Sequence, residues 1–134
     1  MMKLKLKNNK VQKLIFTDLD SADLNNMEED EFGLRFEPNF SLGNNKFCIQ
    51  FEFQCIVENA KILIVHFDSC FEVDEDLSEG FITSKFPTVN APAIAFPFLR
   101  AFISNYLLSS GYNPILLPSI NFTQFKSNSK QQVS

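Results

Sequence analysis

The fold is decided by the stretch Ile94-Ala95-Phe96-Pro97-Phe98-Leu99-Arg100 and by the pattern that follows it as far as Gly111. Proline is favoured at the first helical position, because the N–H that it lacks has no partner there, so Pro97 is predicted to open a helix. Beyond it, apolar residues recur at the spacing of one helical face, at Phe98, Leu99, Phe102, Ile103, Tyr106 and Leu107. Gly111 suits the left-handed conformation that ends many helices, and Pro114 blocks continuation. The sequence therefore predicts one long amphipathic helix.

The residues before this helix predict four strands. Three segments alternate apolar and polar residues, which is typical of antiparallel strands with one covered face and one solvated face. Their apolar positions are Leu34, Phe36, Phe40 and Leu42 in the first, Phe47, Ile49, Phe51, Phe53, Cys55 and Val57 in the second, and Leu63, Val65, Phe67, Phe71 and Val73 in the third. An earlier strand is predicted over residues 11–19, with Leu14 and Phe16 facing inward. The polar residues 21–31 are numerous enough to indicate a crossover after this strand, and not a hairpin.

Parity fixes how the middle strands pair. Directly opposed residues of an antiparallel pair share a face, so apolar positions must oppose apolar positions. A three-residue connection of Glu58, Asn59 and Ala60 achieves this, because it sets Cys55 opposite Leu63. An even connection through residues 43–46 is required before the second of these strands. Pro38 cannot donate to a ladder, which places its strand at a sheet edge.

Composition indicates a globular chain with an acidic balance. Its 134 residues predict a single domain over residues 1–126 and a flexible polar tail over residues 127–134. The net charge of −4 disfavours a nucleic-acid partner, since phosphate binding needs a basic cluster. No window approaches the roughly 18 apolar residues of a membrane span, so none is predicted. Three cysteines and no secretory segment predict a cytoplasmic protein.

The titratable residues do not predict an enzyme. His66 is the only histidine, and Cys70 lies about 13 Å from it along the same strand, too far for a nucleophile–base pair or a shared metal. No C-x-x-C spacing occurs, and no metal or cofactor is predicted. Cys48 would oppose Cys70 in the predicted register. Two separate thiols are favoured over a disulfide there, because the expected compartment is reducing.

The order of several pieces resembles the SecB family of export chaperones. They are Phe96-Pro97-Phe98, then Arg100, then Gly111-x-x-Pro114, then an apolar loop that ends in Asn121-Phe122. The resemblance implies an α+β fold: a four-stranded antiparallel sheet with a crossover loop after strand 1, packed by one long helix and a short C-terminal helix, here over residues 122–126. It also implies a homotetramer, as a dimer of dimers, and an ATP-independent holdase that binds unfolded polypeptides or preproteins.

Two partners follow from that resemblance. Export implies the SecA motor. The family's Phe-Glu-Ala-Pro segment after the first strand and its acidic C-terminal tail are missing here, which favours a chaperone that attends an antitoxin. Two other functions stay open: a small apolar ligand in a pocket on the phenylalanine-rich face, and a structural subunit of a larger assembly. The chain has 16 Phe, which fit either a core or an open apolar surface.

Two sets of residues are predicted to make contacts with other chains. The edge strand and the apolar loop are expected to bind clients, through Phe36, Phe40, Leu42, Ile115, Leu116, Leu117, Ile120 and Phe122. The alternative is that Leu117, Ile120 and Phe122 fold back onto the helix. The helix carries more apolar surface than one sheet contact needs, which predicts an oligomer interface at Phe98, Leu99, Phe102, Ile103 and Tyr106.

Overall fold

The alternating segments form an antiparallel sheet that one long helix covers on one face. The computed structural model describes residues 3–20, 31–40, 44–125 and 130–132. Its elements are β1 (Leu4–Asp18), β2 (Glu31–Phe40), β3 (Lys46–Val57), β4 (Lys61–Val73), a short helix α1 (Glu79–Ile82), a π-helical segment (Phe86–Asn90), α2 (Ala91–Ser109) and β5 (Lys130–Gln132). The strand order is β1-β4-β3-β2-β5. Because β1 lies beside β4 and not beside β2, the predicted crossover and the α+β class are confirmed.

The register between β3 and β4 follows parity. Cys55 lies opposite Leu63, as predicted, and Glu58 and Asn59 take positive φ angles of 52° and 57° in the three-residue connection. Phe40 pairs with Phe47, so an even number of residues separates β2 from β3 at that point. Leu42 lies outside the described residues. Pro38 belongs to β2, the outermost long strand on its side of the sheet.

β1 is longer than the sequence predicts. It begins at Leu4 instead of residue 11 and pairs with the whole of β4. Two register shifts, between Leu6 and Asn8 and between Val11 and Lys13, interrupt its alternation, so no continuous period of two marks it in the sequence. One of the residues between the shifts is Asn9, whose side-chain oxygen accepts a hydrogen bond from the buried Ser69 hydroxyl at 2.7 Å.

α2 begins six residues earlier than predicted. It starts at Ala91, and Pro97 lies inside the helix instead of opening it. Pro92 occupies the first turn, and Pro87 the first turn of the π-helical segment before it, so the preference of proline for helix starts applies to these two. Pro97 and Ala93, the residue four positions earlier, are both exposed, so water can reach the carbonyl that lacks an N–H partner.

The C-terminal end of α2 has the predicted glycine cap. Gly111 has a φ of +90°, its N–H donates to Leu108 at 3.2 Å, and the N–H of Tyr112 donates to Leu107 at 2.9 Å. This is the paired hydrogen-bond pattern of a Schellman motif, which satisfies carbonyls that the helix leaves open. The confirmed cap turns the chain away from the helix axis toward the sheet.

Gly111→Ala is expected to lower the free energy of unfolding by about 1–2 kcal/mol, because an L residue at this positive φ is strained. A Cβ at Gly111 would meet no atom within 4 Å, so the backbone conformation alone sets the cost. Chemical denaturation would measure the loss, with Gly111→Asn as the matched variant of smaller cost. An alanine variant as stable as the parent would contradict the capping role.

The segment after residue 120 differs from the expected short helix. The N–H groups of Gln124 and Phe125 both donate to Asn121 at 3.1 Å, which closes a single turn that does not continue as a helix within the described residues. Further on, Lys130–Gln132 form β5, which the polar composition of the predicted tail does not indicate. The flexibility expected of residues 127–134 stays a prediction.

The helical stretch Phe86–Ser109 is long and apolar enough, by length and composition, to cross a membrane. Its mean hydropathy is 1.3 over an 18-residue window, of which 39% is buried inside the protein. Every 18-residue window of this stretch includes Arg100, so the expectation of no membrane span stays a prediction. The core helix of a protein without membrane spans passes the same test, and Leu99, Ile103 and Leu107 are buried in the core that α2 shares with the sheet.

Candidate functional site

The chain that leaves α2 crosses to β2 and packs there through aromatic rings. The Phe122 ring lies 5.7 Å from that of Phe36 on β2 and 5.9 Å from that of Phe96 on α2. Phe125 stacks on Phe36 at 5.6 Å. Ring pairs at such distances add to the stabilisation from burial. The segment is therefore anchored at the β2 side of the sheet, over the face that α2 covers.

The apolar loop, residues 115–120, leads from α2 to these aromatic contacts and is only partly buried. Leu116 is 88% exposed, the largest exposure among the large apolar side chains of the described residues. Ile115 and Ile120 are half-buried, whereas Leu117 and Phe122 belong to the core. Leu117 and Phe122 are therefore buried, as expected if the loop folds back onto the helix. This arrangement leaves Leu116, with the edges of Ile115 and Ile120, at the surface.

The predicted edge-strand residues contribute differently from the loop. Phe36 is buried, and Phe40 is half-buried against the rings of Phe47 and Phe81, at 5.8 Å and 6.5 Å. Their side chains therefore point into the core rather than toward a partner. What β2 offers near its start is backbone pairing, and Glu31, Phe32 and Gly33 already pair with β5.

The helix residues predicted at an oligomer interface separate into three groups. Leu99 and Ile103 are 0% exposed and face the sheet, so the folded chain does not present them to a second copy. Phe102 and Tyr106 are half-buried, with ring contacts to Phe67 at 6.1 Å and to Phe16 at 5.7 Å. Phe98 is 49% exposed.

Two exposed helix residues lie outside the predicted interface set. Ile94 is 42% exposed and Leu108 is 63% exposed, and with Phe98 they fall on one outward stripe of α2. Placing the helix start at Pro97 removed Ile94 from consideration. The signal that could have found the stripe is the i, i+4, i+14 spacing of these three residues. We call Ile94, Phe98 and Leu108 the outer stripe of α2.

The opposite face of the sheet carries polar and charged residues around Glu52, with Ile56, Ile62 and Ile64 toward one end. Glu52 on β3 accepts a hydrogen bond from Arg35 on β2 and lies 4.0 Å from His66 Nε2 on β4. On the covered side, where β1 ends and β4 begins, Lys61 Nζ donates to Asp18 Oδ1 at 2.7 Å and lies 5.6 Å from the centre of the Phe16 ring. This hydrogen bond lowers the pKa of the Asp18 carboxyl and raises the pKa of the Lys61 amine. These are exposed pairs that link neighbouring strands, and they contribute little to stability.

The cysteines depart from the expectation of separate thiols. Cys48 and Cys70 are directly opposed on the polar face and form a disulfide, with their Cα atoms 4.0 Å apart. Cys55 is buried on the covered face, where desolvation raises the pKa of its thiol to about 12. Its thiolate is therefore too scarce to act as a nucleophile near neutral pH.

The geometry gives no basis for metal binding or catalysis in the part of the chain that is described. No group of three His, Cys, Asp or Glu side chains there could hold a metal ion. A shallow depression of about 200 Å³ is lined by Arg35, Phe36, Glu37, Gln50 and Glu52. Four of these five residues are charged or polar, which does not fit the apolar ligand considered for the phenylalanine-rich face. What the arrangement can do is bury apolar groups of another chain.

Comparisons with known proteins agree with the fold. Two solved structures show the same fold. One is a SecB-like chaperone of Mycobacterium tuberculosis in complex with a ChAD peptide from the HigA1 antitoxin, with a TM-score of 0.62, 11% identity and 87% of each chain covered. The other is a protein of unknown function from Streptococcus agalactiae, with a TM-score of 0.61, 13% identity and coverage of 88% of this chain and 98% of that chain.

Sequence comparison identifies the family. The protein-export protein SecB of Anaplasma phagocytophilum (strain HZ) is 30% identical over 79 residues, which are 56% of this chain and 49% of that relative. The match thus spans about half the length of the relative. The family described as preprotein translocase subunit SecB matches residues 44–133, which include β3, β4, α2 and the apolar loop. The chain therefore belongs to the SecB family, whose members are chaperones and not enzymes.

Proposed function

We propose that this protein is an ATP-independent holdase that binds unfolded or non-native polypeptides, preproteins for export among them. The observation that carries the proposal is Leu116, which is 88% exposed between the half-buried Ile115 and Ile120 in a loop anchored on both α2 and β2. A leucine left in water forfeits the stabilisation of burial. A client's apolar segment restores it on binding.

The free energy of binding comes from apolar area removed from water. At about 25 cal/mol per Å², a contact of a few hundred Å² supplies several kcal/mol before the cost of ordering the client. The hydrophobic effect has no direction, so selectivity among clients is low. Several such contacts on one assembly raise avidity through effective concentration.

Within the predicted client-binding set, the residues have different tasks. Leu116, Ile115 and Ile120 contact the client, whereas Phe40 packs into the core and Leu42 stays a predicted contact. Phe36, Leu117 and Phe122 are core residues that hold the loop in place beneath them. A substitution in the first group changes binding, and one in the second group changes folding.

Assembly into a homotetramer, as a dimer of dimers in the cytoplasm, is part of the proposal. The outer stripe of α2 supports it, because three large apolar side chains on one helix face are costly to leave in water. A second copy of the same helix would cover them by a self-complementary contact. Sedimentation velocity gives the test, and a monomer at all concentrations would contradict it.

Suppression of aggregation tests the holdase function directly. A chemically unfolded, aggregation-prone client is diluted into buffer with increasing amounts of this protein, without ATP, and light scattering is followed. We expect scattering to fall to a plateau at a stoichiometric ratio. Because the chain has no Trp, the fluorescence of client tryptophans reports binding without background. Unchanged scattering at an excess of the protein would rule the function out.

Leu116→Asp is expected to weaken client binding about 10-fold, since it removes one leucine contact and adds a charge that must be desolvated. The thermal midpoint should stay the same, because Leu116 makes little contact with its own chain. Ser119→Asp is the matched control, for it adds the same charge at an exposed position of the same loop. Equal affinities for the two variants would show that the loop is not a client contact.

A chaperone for an antitoxin is the second candidate. The observation that favours it is the M. tuberculosis SecB-like chaperone of the same fold, which was solved with an antitoxin peptide. Competition separates the two functions. One peptide that binds far more tightly than random unfolded segments supports the antitoxin function, whereas similar affinities for many unfolded sequences support general holding. SecA as the export partner is tested by co-sedimentation with the purified motor.

A further inference from the structure

The C-terminal strand lies on the sheet edge that the proposed function assigns to clients. β5 pairs antiparallel with the start of β2: Gln132 lies opposite Glu31, Gln131 opposite Phe32, and Lys130 opposite Gly33. A segment of this chain therefore occupies the position that an added strand from another polypeptide would take.

β5 has few means of holding this position. It is three residues long, whereas ordinary strands have about 5–6. Its sequence, Lys130-Gln131-Gln132, has no β-branched, aromatic or other apolar residue. Strand pairing without apolar burial contributes little, so β5 belongs to the parts of a fold that open locally.

A short tether nevertheless keeps β5 close to its site. Phe125 stacks on Phe36 at 5.6 Å, and β5 starts five residues later, a reach of at most about 17 Å. A tethered strand of this kind binds its own edge at a high effective concentration. Low intrinsic stability and a short tether together make a strand that is usually in place but is easily exchanged.

We propose that β5 is an exchangeable placeholder, which an extended client segment with apolar residues at alternate positions displaces from Glu31–Gly33. This inference rests on the proposed holdase function and adds a competition to it. The client replaces the backbone hydrogen bonds of β5 and adds apolar side chains, which Lys and Gln cannot supply. In the absence of a client, β5 covers backbone groups that could otherwise pair with other chains.

Two opposed variants test the exchange. K130P/Q131P weakens β5, because whichever of the two N–H groups faces β2 is removed, while K130T/Q131T strengthens it through β-branched residues. The probe is a ten-residue peptide that alternates Val or Phe with Ser or Lys and carries one Trp, read by fluorescence anisotropy. We expect the proline variant to bind it about 3–10-fold more tightly than the parent and the threonine variant to bind it several-fold more weakly.

A backbone-methylated version of the same peptide is the matched control, because it keeps every side chain but cannot form a strand ladder. Its affinity should be the same for the parent and both variants. Equal affinities of the unmodified peptide for all three proteins would overturn the placeholder role, while the holdase function would stand. If the parent binds neither the peptide nor an unfolded client, the holdase function fails and the competition fails with it.

Discussion

Leu99→Ala is expected to lower the free energy of unfolding by about 3–5 kcal/mol, whereas Phe98→Ala should cost less than about 1 kcal/mol. The two residues are neighbours in α2, yet Leu99 is 0% exposed against the sheet and Phe98 is 49% exposed on the outer stripe. Truncating Leu99 loses the transfer free energy of the side chain and leaves a cavity that the sheet cannot fill. Denaturant titration would measure both values.

The same pair separates stability from assembly. Phe98→Asp should reduce the assembled fraction in sedimentation velocity, because it adds a charge to the outer stripe of α2 at little cost to the isolated fold. Leu99→Ala should reduce stability at any protein concentration. If Phe98→Ala proved as costly as Leu99→Ala even in dilute, fully dissociated protein, the placement of α2 on the sheet would be wrong.

The pairing of β3 with β4 could be predicted from the sequence because parity is a local and strict rule. A one-residue slip would put Cys55 and Leu63 on opposite faces of the sheet, so one-sided alternation excludes it, and the three-residue connection selects among the remaining registers. β1 escaped this reasoning because its two register shifts reset the alternation. The length of a strand with bulges depends on its partner, here β4, and the sequence of β1 alone does not specify it.

The helix could be predicted, but not the face that it buries. The apolar positions at i, i+1, i+4 and i+5 cover two neighbouring stripes, and both look alike in the sequence. Only packing against the sheet distinguishes them, since it buries Leu99 and Ile103 and leaves Phe98 outside. The helix start was predicted wrongly at Pro97, because the preference of proline for the first turn is only statistical. An exposed proline inside a helix costs one backbone hydrogen bond, which the helix can tolerate.

The candidate site was predicted in outline through the apolar loop. Proline at both ends and an aliphatic run mark residues 114–118 in the sequence, but which side chain stays in water depends on contacts far along the chain. Phe122 is buried because it meets Phe36, 86 residues earlier in the sequence, and Phe96 on α2. β5 had no signal in the sequence, since Lys130, Gln131 and Gln132 are all polar.

Parity also placed Cys48 opposite Cys70. Because a reducing compartment was expected, two separate thiols were predicted there. The structure joins them across a sequence separation of 22. Geometry of pairing is encoded locally, whereas the oxidation state depends on the surroundings in which the chain folds. The sequence therefore predicts which two cysteines oppose each other, but not whether they are oxidised to a disulfide.

Reducing the Cys48–Cys70 disulfide is expected to lower the free energy of unfolding by about 3 kcal/mol and the thermal midpoint by about 10 °C. The bond closes a 22-residue separation, and its removal returns that loop entropy to the unfolded chain. The native fold should persist, because β3 and β4 keep their ladder and their apolar contacts on the covered face. Thermal melts with and without a strong reductant would measure the shift, and the double variant C48S/C70S should reproduce it without reductant.

Cys55 is the internal control for that experiment. It lies on the covered face, and burial raises the pKa of its thiol to about 12, so it should resist alkylation in the native protein under both conditions. Alkylation followed by mass spectrometry should therefore show no added group in the oxidised protein and two in the reduced protein. One of the two lies on Cys48 in β3 and the other on Cys70 in β4. Reaction of Cys48 and Cys70 without reductant would show that the bond does not form in solution. A midpoint that reductant leaves unchanged, although both thiols have been freed, would show instead that the unfolded chain gains little freedom when this loop opens.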